Sequence, residues 1–295
     1  MPDSRANRPH AEHPPATNGP AADPSAANRA TDASRPAATG RPSAQAAVDG
    51  DGLVAFYDDS YAHEGEQAQL YARWRALGAR GKADHVSTLC ARAGIRPAST
   101  LEVGCGDGAL LSELSARGLG GELHGVEITE AAVRIASKRA EIASVELYDG
   151  AHLSAPAGSY ELGILSHVLE HVPDPAALLA EAARACRAVV VEVPLEDNLS
   201  AKRAGKREHA DEVGHLQRLS RASMRATVAR AGLNVVGELE DPLPLAVYRF
   251  FADTPAANVA ATGKWGVRRG LHALSPRLAK RLYTVHYACL CLPRA

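Results

Sequence analysis

Leu101-Glu102-Val103-Gly104-Cys105-Gly106-Asp107-Gly108-Ala109-Leu110-Leu111 is the stretch on which the fold turns. Thr100 to Val103 read as a buried parallel strand, the glycines as a tight turn, and the Ala-Leu run as the start of a helix. Such a turn needs glycine because a side chain would hold a ligand away from the backbone, and because positive φ is cheap only without a Cβ. Written as G-x-G-x-x-G/A, Gly104 to Ala109 passes as a dinucleotide fingerprint. The charges point elsewhere. A pyrophosphate wants helix-end amides and basic side chains, whereas Glu102 and Asp107 flank this turn and no Lys or Arg follows until Arg117. The loop suits a cation, or at least a ligand without phosphate.

Composition narrows the classes of function. The chain has 295 residues, 46% hydrophobic and 23% charged, which is ordinary for a globular protein with room for a substantial core. Its formal net charge of -1 provides no global field to draw it to nucleic acid or an anionic membrane, so neither is expected as a partner. Five cysteines, Cys90, Cys105, Cys186, Cys289 and Cys291, contain no C-x-x-C pair, and suggest neither a disulfide framework nor a structural zinc site. A reducing cytoplasm fits that usage. No apolar run is long enough to span a bilayer, and the N-terminus lacks the apolar centre of a signal peptide.

Outward from the glycine turn, strands and helices alternate, the pattern of a parallel α/β sheet. A helix to Arg117 leads to a second strand, Glu122 to Ile128, in which Glu127 falls about 20 residues past the glycines, where a carboxylate meets ribose hydroxyls. Thr129 caps a helix over 130–140. The third strand, from Val145, ends in Asp149-Gly150, and the fourth, Tyr160 to Ser166, delivers His167-Val168-Leu169-Glu170-His171. That pentapeptide matches the inverted zinc-protease motif, but Pro173 and Pro175 leave room for scarcely a turn of helix, so no metal is assigned to it. Asp174 with Pro175 starts a helix to about Cys186; Arg187 to Pro194 reads as a β-branched fifth strand. Acids and an Asn follow at Glu196, Asp197 and Asn198, with no second cluster to complete a metal site. Ser220 caps a helix that Gly232 ends, before a sixth strand from Leu233 to Leu239. Leu282 to Leu292 reads as the closing strand.

Glu102, Gly104, Gly106 and Gly108 together resemble motif I, E/D-x-G-x-G-x-G, of the class I S-adenosylmethionine-dependent methyltransferases. Ser166 to Val172 resembles the "s-hvLEHv" stretch after the fourth strand in small-molecule members of that class, and His215 with Ser220 and Gly232 resembles a later segment. The resemblance implies a Rossmann-like α/β fold: seven strands, mostly parallel, the last antiparallel, with helices on both faces. It implies S-adenosylmethionine as cofactor, held by Glu102, Gly104, Cys105, Gly106, Gly108, Glu127, Ile128, Asp149, Gly150, Ser166 and His167. Asp149 would then accept the adenine amino group. His171 and His215 become candidate bases for a hydroxyl, phenol or carbon acid, the acceptor being a small molecule; a structural role is an equal reading of each.

The flanks are less informative. Residues 1–50 are rich in Ala, Pro and Ser and read as a disordered tail. Residues 51–95 would form a helical lid: Phe56, Tyr57 and Tyr61 cover a cofactor or simply pack, and a helical pattern from Gln67 to Ala93 is expected to break at Gly78 and Gly81. A connection over 241–281 carries a basic run and is where this fold varies to make the acceptor site. The rival readings are an NAD(P)-dependent oxidoreductase, a nucleic-acid methyltransferase and a non-catalytic cofactor-binding protein. The nucleic-acid reading lacks an Asn/Asp-Pro-Pro-Tyr tetrapeptide after the fourth strand, where Ser166-His167-Val168-Leu169 stands.

Overall fold

A computed structural model describes Val54, Tyr61, residues 65–212 and residues 214–294. The expected tail, with Phe56 and Tyr57, lies outside the described residues. Seven strands form one sheet in the order β3-β2-β1-β4-β5-β7-β6. They are β1 (Ser99–Val103), β2 (Glu122–Glu127), β3 (Ser144–Leu147), β4 (Tyr160–Ser166), β5 (Cys186–Pro194), β6 (Leu233–Asp241) and β7 (His286–Pro293). The first five pair in parallel; β7 runs antiparallel between β5 and β6. After β1 the chain builds outward to β2 and β3, then crosses back to lay β4 on the other side of β1. That reversal opens a crevice between the carboxyl ends of β1 and β4, the usual ligand position in such sheets.

Helices cover both faces. They are α1 (Gly65–Ala93), α2 (Ala109–Ala116), α3 (Glu130–Ala136), α4 (Pro175–Ala185), α5 (Ala204–Glu212), α6 (Arg221–Arg230), α7 (Leu245–Arg249), α8 (Pro255–Leu274) and α9 (Pro276–Leu282). Local caps set several starts. Thr129 accepts from Ala132 N, Asp174 accepts from Ala176 N and Ala177 N, and Ser220 forms a reciprocal capping box with Ser223, each worth about 1 kcal/mol. The connection over 241–281 folds as α7, α8 and α9.

The period-2 alternation of the strands sorts the core into two layers. Leu165, Val189, Val191, Val193, Cys289 and Cys291 face α4 and α6, while Leu162, Ile164, Ala188, Val190, Ala288 and Leu290 face α1. On the α1 side the apolar rows change character at the rim: Leu162 and Ile164 give way to Ser166, Val190 to Glu192, and Ala288 to His286, while Thr100 and Glu102 flank them on β1. Polar groups thus collect at one end of an apolar layer.

Helix α1 departs from the sequence expectation. It runs unbroken through Gly78 and Gly81 for 29 residues. Each glycine costs about 1 kcal/mol in a helix interior, but burial of Ala79, Ala83, Val86, Leu89 and Cys90 against the sheet and α2 outweighs that cost. The glycines have another use. Gly78, Gly81, Lys82 and His85 recur at helical spacing and line the crevice, where bulkier residues would fill it. Other differences are small: α3 stops at Ala136, where 130–140 was expected, and β7 begins at His286, after α9 ends at Leu282.

Candidate functional site

The crevice is a cavity of ≈ 660 Å³ between the glycine bend, the middle of α1 and the carboxyl rim of β4 and β5. Of the residues expected to hold a cofactor, Glu102, Gly104, Cys105, Gly106, Ser166 and His167 line it, and so does His215. Gly108, Glu127, Ile128, Asp149, Gly150 and His171 do not.

The bend is held from within. Gly104 and Cys105 donate to Val126 O, Gly106 donates to Glu127 Oε2 at 2.8 Å, Gly108 donates to Cys105 O, and Ala109 donates to Asp107 Oδ1. A pyrophosphate would need such amides free; here the protein has already taken them. Gly104, Gly106 and Gly108 all have positive φ, and a Cβ on Gly104 would lie 2.7 Å from Val168. A Cβ on Gly106 would lie 2.5 Å from the hydroxyl of Tyr61, whose ring carries Arg75 over its face and lies across the bend. Of the three aromatic residues Phe56, Tyr57 and Tyr61, Tyr61 is the one described.

The acids of the bend separate into distinct roles. Arg75 Nε donates to Asp107 Oδ2 at 2.8 Å, and Arg139 Nε donates to Asp107 O. The sequence reading found no nearby cation because both arginines arrive from 32 positions away. Glu127, 7% exposed, is tucked beneath the bend and also accepts from Ile128 N. Burial raises its pKa, against the lowering effect of hydrogen bonds from Gly106, Ile128 and Thr129. Glu102 remains. It is 3% exposed, its Oε2 has no hydrogen-bond partner, and burial pushes its pKa up to about 8. Ser166 Oγ, on the facing strand end, is a second buried polar atom without a partner. Leaving such groups unpaired costs roughly 1–3 kcal/mol each, so a cavity lined by two residues that carry them suits a polar ligand.

Asp149 lies on the surface. It accepts from Ala151 N, His152 N and His152 Nδ1, which holds its pKa at about 2. Gly150 follows it beside Ile128, with a Cβ position 3.5 Å from the Ile128 side chain.

The two candidate bases behave differently. His171 closes the single 3-10 turn Leu169–His171, and its Nδ1–H donates to Gly214 O at 3.0 Å. Burial lowers its pKa to about 4, so it is neutral near pH 7 and turned toward the 214 segment. His215 faces the cavity, and its Nδ1–H donates to Glu196 Oε2 at 2.9 Å. A carboxylate on Nδ1 fixes the ring and leaves Nε2 as the basic nitrogen.

Three further residues complete the rim and were missed from sequence. Glu192, 2% exposed, accepts from His85 Nδ1 at 2.8 Å and from His286 Nδ1 at 3.2 Å, and lies 3.5 Å from His167 Nε2. Burial alone would raise its pKa, but these imidazoles hold it well below the usual range. An acid inside the run Ala188 to Val193 is the signal that was available. Its partners were not, because β7 reaches the rim only by running antiparallel, which sets its first residue, His286, beside both Pro194 and Asp241.

The comparisons agree with this geometry. A family profile described as a methyltransferase domain matches residues 53–238. The chain is 35% identical over 102 residues to a ubiquinone biosynthesis O-methyltransferase of Thiobacillus denitrificans, covering 32% of this chain and 41% of that one. It is 41% identical over 93 residues to a nocamycin O-methyltransferase of Saccharothrix syringae, covering 30% and 33%. The match thus spans less than half the length of either relative. Among solved structures, a SAM-dependent methyltransferase of Thermotoga maritima superposes with a TM-score of 0.54 at 13% identity, over 82% of this chain and all of that one, a likeness of fold. A seven-stranded sheet whose last strand is antiparallel, a glycine bend at its switch point and a matched profile over most of the described residues lead to one conclusion: the chain belongs to the methyltransferase-domain family.

Proposed function

We propose that the chain is an S-adenosylmethionine-dependent methyltransferase acting on a small-molecule acceptor. The carrying observation is the pairing of a bend whose Gly104, Cys105, Gly106 and Gly108 amides are spent internally with a buried Glu102 carboxyl on the cavity wall, its Oε2 without a hydrogen-bond partner. Such a bend suits a cationic ligand better than a diphosphate, which needs free amides. The residues fit the cofactor: Glu102 and Ser166 offer unpaired polar atoms, Gly104 and Gly106 allow close approach, and Tyr61 covers the bend. Glu127, Ile128, Asp149 and Gly150 would serve the adenosine half. When bound, the cofactor would supply an activated methyl group on a sulfonium.

The chain's own residues do the remaining work. The cavity walls exclude water and hold the acceptor in line, which removes much of the entropic barrier to a bimolecular displacement. His215, with Glu196 on Nδ1, takes the proton of an acceptor hydroxyl at Nε2. The relatives named above as O-methyltransferases favour an oxygen acceptor. All five cysteines are free and buried, which suits a reducing compartment such as the cytoplasm. Among the described residues no helix is long and apolar enough to cross a membrane.

Isothermal titration of the purified protein with S-adenosylhomocysteine and, separately, NAD+ tests the reading. Saturable binding of the first and none of the second is expected; the reverse would replace it with an oxidoreductase. Cofactor binding without turnover on any phenol or hydroxy acid would leave a binding protein.

A further inference from the structure

The rim opposite the glycine bend carries an arrangement that methyl transfer does not require. His167 Nε2 lies 3.3 Å from His286 Nδ1, His286 Nδ1 lies 3.2 Å from Glu192 Oε1, and Glu192 Oε1 lies 3.5 Å from His167 Nε2. These three atoms form a nearly equilateral triangle. We propose that it is the ligand face of a binding site for one divalent transition-metal ion of the zinc type, open to the cavity on its fourth side.

Size is the first argument. A tetrahedral ion bound at about 2.0–2.2 Å separates its ligands by about 3.3–3.6 Å, so the triangle needs little adjustment to receive one. Chemistry is the second. Two imidazoles and one carboxylate suit zinc, cobalt or iron, while magnesium and calcium prefer oxygen sets.

The surrounding groups are the third argument. His167 coordinating through Nε2 must carry its proton on Nδ1, and Nδ1 lies 3.0 Å from Glu170 Oε1. Glu170 is wholly buried, and neither of its oxygens is satisfied by a well-aligned hydrogen bond. A carboxylate behind a histidine ligand is the usual device for fixing its tautomer and strengthening it as a donor. The other Glu192 oxygen faces His85 Nδ1 at 2.8 Å, and His85 Nε2 in turn faces Asp241 at 3.2 Å, so the carboxylate is also braced from behind. His167 holds this position at φ 60, a backbone region uncommon for residues other than glycine.

All three ligands line the cavity, so the remaining coordination position faces whatever the cavity holds. Nearby Glu170, His171 and His215 form a second group of metal-ligating residue types. There His171 Nε2 lies 3.9 Å from Glu170 Oε1, longer than any edge of the first triangle. The tighter triangle is the better site. Because its ligands come from the ends of β4 and β5 and the start of β7, they form no spacing motif, and sequence reading assigned no metal.

The test uses the full chain stripped with chelator, titrated with Zn2+ by calorimetry and with Co2+ by visible absorption. One equivalent should bind with micromolar affinity or better, and Co2+ should give the intense bands of a low-coordinate site. His286→Ala and Glu192→Gln should each weaken Zn2+ binding by about 100-fold, and Glu170→Gln by about tenfold, with folding checked by circular dichroism. The double variant His171→Ala/His215→Ala should stay within about threefold of the parent, since neither histidine is a ligand of the triangle or the carboxylate behind one. Absence of saturable Zn2+ and Co2+ binding would overturn the proposal, leaving a hydrogen-bonded histidine cluster. So would parental affinity in a folded Glu192→Gln, or loss of binding in the double variant alone. The readout is the metal by itself, so either outcome is independent of S-adenosylhomocysteine binding.

Discussion

The two sides of the cavity are built by opposite strategies. The glycine side is contiguous: Glu102, Gly104, Cys105 and Gly106 lie within five residues, and most of their hydrogen bonds run to the bend itself or to the adjacent β2. The histidine side is assembled from His85 on α1, His167 after β4, Glu192 on β5, and His286 on β7, with bonded partners up to 119 positions apart. The first side is a backbone device and depends on conformations only glycine adopts cheaply. The second is a side-chain device, and depends on buried charges finding one another. The glycine side should therefore fail through loss of affinity, the histidine side through loss of stability.

Substitution of Glu192 by Ala should break the comparison hardest. It leaves three imidazoles around an empty place, and removal of one partner from a buried charged group costs roughly 3–5 kcal/mol, so Tm in a thermal melt should fall by about 10 °C. Affinity for S-adenosylhomocysteine below that Tm should stay within about threefold, because Glu192 bonds His85 and His286 and no residue of the bend. A large loss of cofactor affinity would show that the two sides act as one.

Gly106→Val is the mirror experiment. Positive φ and the Tyr61 hydroxyl both oppose a branched side chain there, so calorimetry should show cofactor affinity reduced by about 100-fold, roughly 2.7 kcal/mol. The circular dichroism spectrum should stay native. Retained affinity would place the ligand elsewhere.

Glu102→Gln sharpens the electrostatic part. Burial raises the Glu102 pKa to about 8, so at pH 7 the empty pocket holds a neutral acid; a cationic ligand favours the carboxylate and lowers that pKa. The pKa is then higher in the empty protein than in the complex, so affinity rises with pH and levels off above about 8. Calorimetry at pH 7 in two buffers of different ionisation enthalpy should report up to about one proton released on binding. Gln should remove that release and weaken binding by about tenfold. Proton uptake would reverse the assignment.

Asp149→Ala should have the smallest effect, about fivefold in affinity, because an exposed hydrogen bond contributes only about 1 kcal/mol. An effect equal to that of Gly106→Val would mean that the adenosine half is enclosed by a closing motion.

The sequence was most legible where structure is local. Gly104, Gly106 and Gly108 announced the bend, and Asp174-Pro175 and Ser220 their helix starts, because turns and caps are decided by a few adjacent residues. The break expected at Gly78 and Gly81 illustrates the limit of that reasoning. Propensity charges a helix about 1 kcal/mol per glycine, while a buried apolar stripe repays more, and that repayment depends on a partner surface the sequence does not display.

By itself, then, the sequence determined the sheet class, the glycine bend and the acids around it, since each rests on periodicity or on the conformational freedom of single residues. Only the tertiary structure decided which acid stays unpaired. It brought Arg75 and Arg139 to Asp107, turned Glu127 under the bend, and left Glu102 facing the cavity. It also decided that His215 faces the cavity while His171 does not, and that His286 meets Glu192. The physical reason is range. Burial and charge pairing are fixed by which strands become neighbours, and an antiparallel β7 joins residues that no spacing rule connects.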